Sequence, residues 1–275
     1  MSIIISGQLQ KMTHEAKTPI QYFLSLNNQP YPLTSRVGHQ VTIRYTGTIT
    51  CIECGRKIKK TYSDGYCFPC ARDLPENDIC SVRPEKCQHD KGNEADRAFY
   101  EKYCNIEHFI YLSQTSGVKV GVTRHFNIPS RWIDQGAVKA LIIAKVPRRI
   151  LSGQIEVVLA EQISDKTNWR KMLLGEIGDV DFSAIREKMI QCIPERLRKY
   201  ALYEEEVKSF TYPVQSVPSK ISSHNLDKEG EFTEKLTGIK GQYLIFESRV
   251  INLRKYSGYH IEFAFEEEIL STTSH

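Results

Sequence analysis

The sequence predicts a mixed α+β fold in three segments: a β-rich zinc-binding module over residues 1–104, an α/β centre over 105–210 and a β-rich C-terminal module over 211–275. Three observations predict this division. Seven of the eight cysteines lie between residues 51 and 104, apolar residues alternate with period two near both ends, and helical periodicity is confined to the centre. A chain of 275 residues is also longer than most single domains.

The composition predicts a globular protein of the cell interior. Hydrophobic residues make up 40% and charged residues 25% of the chain, and no apolar run reaches the roughly 18 residues that a membrane span needs. The first seven residues lack the basic start of a signal peptide. We therefore expect a cytoplasmic protein with no membrane contact, in which cysteines bind metal rather than form disulfides.

Charge is distributed unevenly along the chain. Residues 1–150 hold 21 Lys and Arg against 13 Asp and Glu, whereas residues 151–275 hold 16 against 20. The basic first part favours a polyanion, DNA or RNA, as partner. The acidic second part, with the runs Glu204–Glu206 and Glu266–Glu268, would suit a protein partner, although such runs are also common as solvated surface.

Strands are predicted in runs rich in branched and aromatic residues, and in the two N-terminal runs these residues alternate with polar ones. Near the N-terminus they cover residues 20–26 and 41–49, separated by turn residues 27–30. In the centre they cover residues 108–112, 118–122 and 140–146, and in the C-terminal segment 242–246, 249–253 and 259–265. One helix is predicted over 152–163 with Ser152 as N-cap, and another over 181–199 with a break at Pro194.

Two Cys-x-x-Cys pairs, twelve residues apart, predict a structural zinc site. The ligands would be Cys51, Cys54, Cys67 and Cys70. Each pair places two thiolates on one side of a tight turn, and two facing pairs make a closed tetrahedral site with no position left for water. Gly55 and Gly65 supply the backbone freedom that these turns need.

The loop between the two pairs is basic. It carries Arg56, Lys57, Lys59 and Lys60. These side chains would contact phosphates if the ribbon tip lies on nucleic acid, and otherwise they are a solvated tip.

A second set of thiols predicts a candidate second zinc site. Cys80, Cys87, His89 and Cys104 would supply three thiolates and one imidazole, although their spacing is looser. The alternative is a group of buried free cysteines with an ordinary surface histidine. Cys192 stands alone on an apolar helix face and is predicted to be a core residue.

The central segment from Phe109 to about Leu173 resembles the GIY-YIG nuclease superfamily. The residues that carry the resemblance are Phe109-Ile110-Tyr111, Lys119-Val120-Gly121, Arg131-Trp132, Glu156 early in a helix, and Asn168 within Asp165–Trp169. The resemblance implies a Mg²⁺-dependent endonuclease that hydrolyses phosphodiester bonds in DNA or RNA.

The resemblance also implies a role for each residue. Glu156 would hold Mg²⁺, Tyr111 would orient or deprotonate the attacking water and Arg131 would bind the scissile phosphate. Asn168 and Lys119 would be supporting contacts. Lys119 departs from the superfamily, which has a second tyrosine there, and it could bind phosphate instead. The alternative function is therefore a non-catalytic, zinc-containing nucleic-acid-binding protein on a GIY-YIG-like scaffold.

Each of these residues also has a structural interpretation. A tyrosine in an apolar strand is usually a core aromatic, Glu156 could be a solvated carboxylate, and Arg131 could cap a helix. Trp132 and Trp169 are interpreted as packing residues rather than as stacking platforms for bases. The polar run 134–137 is predicted to line the same cleft as Tyr111.

Over nearly its full length, the chain is also similar to an uncharacterised bacterial family with a domain of unknown function. The matching pieces are residues 51–57, 119–123, 131–137, 165–170 and 238–243. This resemblance implies architecture and leaves the activity open.

Overall fold

The computed structural model describes residues 2–163 and 167–266. Contacts group the chain into two compact units. The split unit comprises Met1–Cys70 together with Tyr212–His275, and the central unit comprises Ala71–Thr211. The predicted mixed α+β class is confirmed. Within residues 2–163 and 167–266, no helix is long and apolar enough to cross a membrane.

Thirteen strands are present in the described ranges. They are β1 (Ser2–Glu15), β2 (Gln21–Leu26), β3 (Gln29–Pro32), β4 (Gln40–Thr50), β5 (Lys57–Ile58), β6 (His108–Gln114), β7 (Val118–Arg124), β8 (Lys139–Val146), β9 (Lys208–Ser209), β10 (Glu231–Lys240), β11 (Tyr243–Phe246), β12 (Val250–Asn252) and β13 (Tyr259–Glu266).

The same ranges contain six α-helices and several short 3-10 helices. The α-helices are α1 (Phe68–Asp73), α2 (Glu94–Tyr103), α3 (Ser130–Asp134), α4 (Arg149–Ala160), α5 (Trp169–Leu174) and α6 (Phe182–Cys192).

The split unit is built on a curled antiparallel sheet with the order β12-β11-β10-β4-β13-β1-β2-β3, and β5 pairs with β4. Strand β4 lies between β10 and β13, where Ile43 pairs with both Phe232 and Phe263. Val41, Ile43 and Ile49 of β4 are buried, and so are alternate residues of β13 from Tyr259 to Phe265, as expected of strands with one face on a core. One sheet therefore contains strands from both ends of the chain.

This grouping differs from the three segments of the sequence analysis. Residues 1–70 share hydrogen-bonded strands with residues 231–266, whereas residues 71–104 belong to the central unit. The physical reason is strand pairing between segments distant in the chain, which satisfies backbone groups that a separate N-terminal module would leave at its edges.

The central unit contains an antiparallel sheet with the order β7-β6-β8-β9. Strands β6 and β7 form a hairpin closed by the turn at residues 114–117, and α3 follows before β8 returns beside β6. Ile110 and Leu112 of β6 pack in a core with Ile155 and Leu159 of α4. Tyr111, between them in sequence, packs in a separate cluster with Trp132.

The predicted break at Pro194 is present, whereas the predicted start of the other helix needs correction. Helix α4 begins at Arg149, three residues before the predicted start, and its N-cap residue Arg148 makes no side-chain cap. Ser152 is instead a buried residue of the first turn, and its hydroxyl donates to the carbonyl of Arg149 at 2.7 Å. Helix α6 ends at Cys192, and a 3-10 helix, Glu195–Tyr200, follows Pro194 because proline interrupts the helical hydrogen bonds.

A buried histidine in β6 makes the stability of the central unit depend on pH. His108 is 2% exposed, and its Nδ1 lies 2.8 Å from the carbonyl oxygen of Ile106. Its Nε2 has no hydrogen-bond partner within the described ranges. Burial, with the nearby charges of Arg149 and Arg124, lowers the pKa of His108 to about 4.

We expect acid to destabilise the central unit through His108. Between pH 6.5 and about 4 the unfolded chain binds a proton that the folded chain does not, so stability is complete above pH 6.5 and falls below it. From pH 7.5 to pH 5 this loss amounts to about 2 kcal/mol. Urea unfolding of wild type and His108→Gln at both pH values measures it. A parallel loss in the two proteins would contradict this role of His108.

Candidate functional site

The four cysteines of the predicted zinc ribbon lie together. The sulfurs of Cys51, Cys54, Cys67 and Cys70 are all within 4.8 Å of one another. The sulfurs of Cys54 and Cys67 are 3.8 Å apart, which matches the spacing of about 3.8 Å between thiolates bound tetrahedrally to zinc at 2.3 Å. This cluster can hold a metal ion such as zinc, with all four tetrahedral positions supplied by the chain.

Local backbone geometry brings the two pairs together. Gly55 and Gly65 have φ values of 70° and 114°, as the sequence analysis predicts for these turns. A Cβ atom on Gly65 would lie 2.8 Å from Cγ2 of Ile52, so this position needs glycine for space as well. The amide of Cys67 donates to the sulfur of Cys51 at 3.2 Å, which joins the second pair to the first.

The cysteine thiols of this cluster differ in acidity. A hydrogen bond from the backbone N–H of Arg56 lowers the pKa of Cys54 to about 6, whereas the hydrogen bond with Cys67 raises the pKa of Cys70 to about 12. One thiolate therefore forms readily at neutral pH, and a bound metal would displace the remaining protons.

The basic ribbon tip is open to solvent. Arg56, Lys57, Lys59 and Lys60 are all exposed. Lys57 lies in β5, opposite Thr50 of β4, and the Lys60 ammonium lies 5.0 Å from the centre of the Tyr62 ring. The tip is accessible to a large anion, and its contact with nucleic acid stays a prediction.

Three of the four residues of the candidate second zinc site also lie together. The sulfurs of Cys80, Cys87 and Cys104 are within 4.8 Å of one another, and all three residues are buried. Hydrogen bonds with Cys80 and Cys87 raise the pKa of the Cys104 thiol. The backbone of His89 lies in a 3-10 helix, but its side chain is outside the described part of the protein. Cys192 is partly buried against the central core.

The sequence analysis did not predict the basic residue beside this second cluster. The Nη1 atom of Arg149 lies 3.1 Å from the sulfur and 3.4 Å from the carbonyl oxygen of Cys80. Only 7% of Arg149 is exposed. No signal in the sequence indicated this contact, because the predicted helix begins at Ser152 and leaves Arg149 outside it.

Tyr111, Arg131 and Glu156 come from three different elements, β6, α3 and α4. Burial raises the pKa of Tyr111, the charge of Arg131 and a hydrogen bond with Gln135 oppose the shift, and the Glu156 carboxylate adds to it. The charges of Arg131 and Glu156 therefore act on the pKa of this phenol in opposite directions. The Tyr111 hydroxyl donates to Oε1 of Gln135 at 3.3 Å, so the polar run at 134–137 does reach the same neighbourhood.

The packing around Tyr111 leaves little room for other side chains. Gly121 lies opposite Tyr111 in the hairpin, and a Cβ atom there would be 2.6 Å from the phenol oxygen. The Trp132 ring stands edge-on to Tyr111 with ring centres 5.9 Å apart, and it is 2% exposed, as expected of a packing residue. Because successive side chains of a strand point to opposite faces, Tyr111 lies on the face of β6 opposite to Ile110 and Leu112, which pack in the aliphatic core.

The two supporting residues have different surroundings. Lys119 is 8% exposed and lies opposite Ser113 in the hairpin. Asn168 is exposed and caps α5, since its Oδ1 accepts from the amides of Arg170 and Lys171 at 3.1 and 3.2 Å. It lines an open pocket of 600 Å³ formed by residues 116–118 and 167–171. Asp165 and Lys166, part of the resembling motif, lie outside the described residues.

Of the two acidic runs, Glu204–Glu206 and Glu266–Glu268, the first lies fully within the described residues. Glu204, Glu205 and Glu206 are exposed, and Glu206 pairs with Lys208 at 3.0 Å. Residues 267 and 268 of the second run lie outside the described residues, as does the side chain of Glu266.

Comparison with known proteins gives a family and no described activity. A search of curated proteins and a search of solved structures each found no match. The sequence model of the family described as "Protein of unknown function (DUF2797)" matches residues 38–261. Because this match covers more than half of the chain, the protein belongs to that family.

Proposed function

We propose that the central unit is a Mg²⁺-dependent endonuclease of the GIY-YIG type that hydrolyses phosphodiester bonds in DNA or RNA. The observation that carries this proposal is that the charges of Arg131 and Glu156 both influence the pKa of the Tyr111 phenol. The three residues are 20 and 25 positions apart in the chain and belong to β6, α3 and α4. They follow one another along the chain in the order that the resemblance implies.

The residue types suit phosphodiester hydrolysis. The half-buried carboxylate of Glu156 would hold one Mg²⁺, which binds few carboxylates and keeps its other positions for water and phosphate oxygens. The bound metal would supply charge to polarise the phosphate. Arg131 would donate to phosphate oxygens in a bidentate way. Lys119 lies in the hairpin that carries Tyr111 and would add a second, largely buried positive charge.

The surroundings of Tyr111 favour one role for its hydroxyl. Burial raises its pKa above the ordinary value, so the phenol is protonated at neutral pH. A protonated phenol positions a water molecule or phosphate oxygen by hydrogen bonding and does not act as a phenolate base. We therefore assign Tyr111 an orienting role.

Glu156→Gln is expected to lower Mg²⁺-dependent cleavage of mixed DNA and RNA substrates by about 100-fold or more, because it removes the metal-binding charge. The measurement is a cleavage time course with and without Mg²⁺. Glu161→Gln, which changes an exposed carboxylate at the end of the same helix, is the matched control and should cut like the wild type. Equal cleavage by the Glu156 variant would overturn the proposal.

The rival function is nucleic-acid binding without cleavage. The low exposure of the site residues supports this function, because Tyr111 is only 1% and Lys119 only 8% exposed. Such burial limits the access of an attacking water. Substrate binding by wild type and Glu156→Gln alike, with no cleavage by either, would support the binding module. A protein partner for the acidic second half is a further proposal, for which the exposed run Glu204–Glu206 is the available surface.

We expect the ribbon tip to contribute phosphate contacts in either case. Replacing Lys57, Lys59 and Lys60 together by glutamate should weaken binding and reduce the slope of log K against log salt by up to about 3. The matched control replaces the exposed lysines 220, 228 and 255 by glutamate, which changes the net charge equally. Fluorescence anisotropy over a salt series measures both. Equal weakening in the two variants would show that net charge alone is responsible.

A further inference from the structure

We propose that Cys80, Cys87 and Cys104 form a metal centre in which three thiolates bind a thiophilic divalent cation such as zinc, with the buried guanidinium of Arg149 balancing the charge of the complex. This centre lies within the central unit and is independent of the proposed nuclease activity.

The three sulfurs come from separate pieces of backbone. Cys80 lies in the 3-10 helix Ile79–Ser81, Cys87 follows the 3-10 helix Pro84–Lys86, and Cys104 is the C-cap of α2. No single turn therefore makes the sulfurs neighbours. All three are nevertheless within 4.8 Å of one another, close to the spacing of about 3.8 Å in a tetrahedral zinc–thiolate site.

Burial separates this cluster from a chance group of surface thiols. Cys80 and Cys104 are 0% exposed and Cys87 is 5% exposed. Phe99 is the other buried residue of the same small cluster, and Tyr100, Tyr103 and Ile150 pack around it. A core of this size would gain little from three small side chains, whereas a metal–thiolate centre can stabilise a segment with few apolar residues.

Arg149 is the independent observation that indicates a negatively charged centre. Its guanidinium is directed at the sulfur and the carbonyl oxygen of Cys80, at 3.1 and 3.4 Å. Across residues 2–163 and 167–266, no carboxylate oxygen lies within 4.0 Å of it. A cation that is 7% exposed requires a counter-charge.

Three thiolates and one divalent cation leave a single negative charge, which the guanidinium of Arg149 contacts directly at Cys80. Arg124, whose charge also interacts with Cys80 and Cys104, adds a second positive charge nearby. Three neutral thiols would leave Arg149 buried beside uncharged sulfur. Metal ligands are commonly oriented by such hydrogen-bonded outer residues. Arg149 is thus a positioning residue for the centre.

The centre would also fix the start of α4. The amide of Arg149, the first residue of that helix, donates to the carbonyl of Cys104 at 2.8 Å, and the helix has no side-chain cap. The metal would hold the cysteine-bearing segment against this end. For the fourth ligand, His89 stays the prediction of the sequence analysis.

Metal content of the full-length chain tests the centre. We expect two zinc ions per chain in the wild type, one in Cys51→Ser/Cys54→Ser and one in Cys80→Ser/Cys104→Ser. Cys192→Ser, which changes a cysteine outside both clusters, should keep two. Wild-type zinc content in Cys80→Ser/Cys104→Ser would overturn the proposal.

A cobalt experiment covers the case in which that double variant does not fold. Cobalt(II) added to metal-free Cys51→Ser/Cys54→Ser should give the near-ultraviolet absorption of thiolate-to-cobalt charge transfer. Absence of this absorption from the variant, when the metal-free wild type gives it, would overturn the centre, because only the ribbon would then bind metal.

The role of Arg149 has its own readout. In chelator competition, Arg149→Met should lower the zinc affinity of the second site by about 10- to 100-fold, and Arg149→Lys should recover most of it by restoring the charge. Both variants are measured in the Cys51→Ser/Cys54→Ser background. Wild-type affinity in Arg149→Met would overturn the charge-balancing role.

Discussion

Gly153→Ala is expected to lower the free energy of unfolding of the central unit by about 4 kcal/mol or more. Gly153 lies in α4, where a Cβ atom would be 2.1 Å from the backbone nitrogen of Glu85 and 2.5 Å from the carbonyl carbon of Pro84. Both contacts are with backbone, so no side-chain rotation relieves them. The higher helix propensity of alanine offsets only about 1 kcal/mol.

Gly117→Ala is the matched control for this prediction. Apart from its two chain neighbours, no residue in the described ranges has an atom within 4 Å of a Cβ placed on Gly117, and the φ of Gly117 is not in the left-handed region. We expect the free energy of unfolding of the Gly117→Ala variant to stay within about 0.5 kcal/mol of the wild-type value. Urea unfolding of all three proteins gives the comparison. Wild-type stability in Gly153→Ala would mean that the 3-10 helix Pro84–Lys86 does not pack closely on α4.

Local patterns predicted most of the elements. Runs of branched and aromatic residues placed β2, β4, β6, β7, β8 and β13 within a few residues, because these residue types favour strands. The pattern could not predict that β4 lies between β10 and β13, which depends on pairing across almost 200 residues. Strand β10 was not predicted, although residues 236–240 are buried, since a run buried on both faces does not alternate.

In the candidate sites, too, features set by local sequence were predicted, and contacts between distant residues were not. Close cysteine spacing predicted the ribbon ligands, because a Cys-x-x-Cys turn fixes its geometry locally. The contact between Arg149 and Cys80 joins residues 69 positions apart, and nothing local in the chain encodes it. Asn168 shows the reverse case, because its local sequence suits a helix cap and the structure uses its Oδ1 in that way.

The other large effect is expected at the ribbon, where Cys67→Ser should remove one zinc ion per chain and unfold residues 51–70. Cys67 is 2% exposed, its sulfur is one of the four in the ribbon cluster, and its amide donates to the sulfur of Cys51. Structural zinc sites of this type contribute apparent binding free energies of about 10 to 16 kcal/mol. Few apolar residues of this segment are buried, so little else would hold it.

Hydrogen exchange by mass spectrometry, together with zinc content, tests this loss. In Cys67→Ser we expect amides of residues 51–70 to exchange at the rate of an unfolded segment, while residues 108–114 of the central unit stay protected, because their sheet hydrogen bonds do not depend on the ribbon. Cys192→Ser should match the wild type in both segments, since it removes a thiol without removing a ligand. Protection of residues 51–70 in the Cys67 variant would contradict zinc as the main source of order in the ribbon, because removal of one ligand leaves at most three thiolates for the metal.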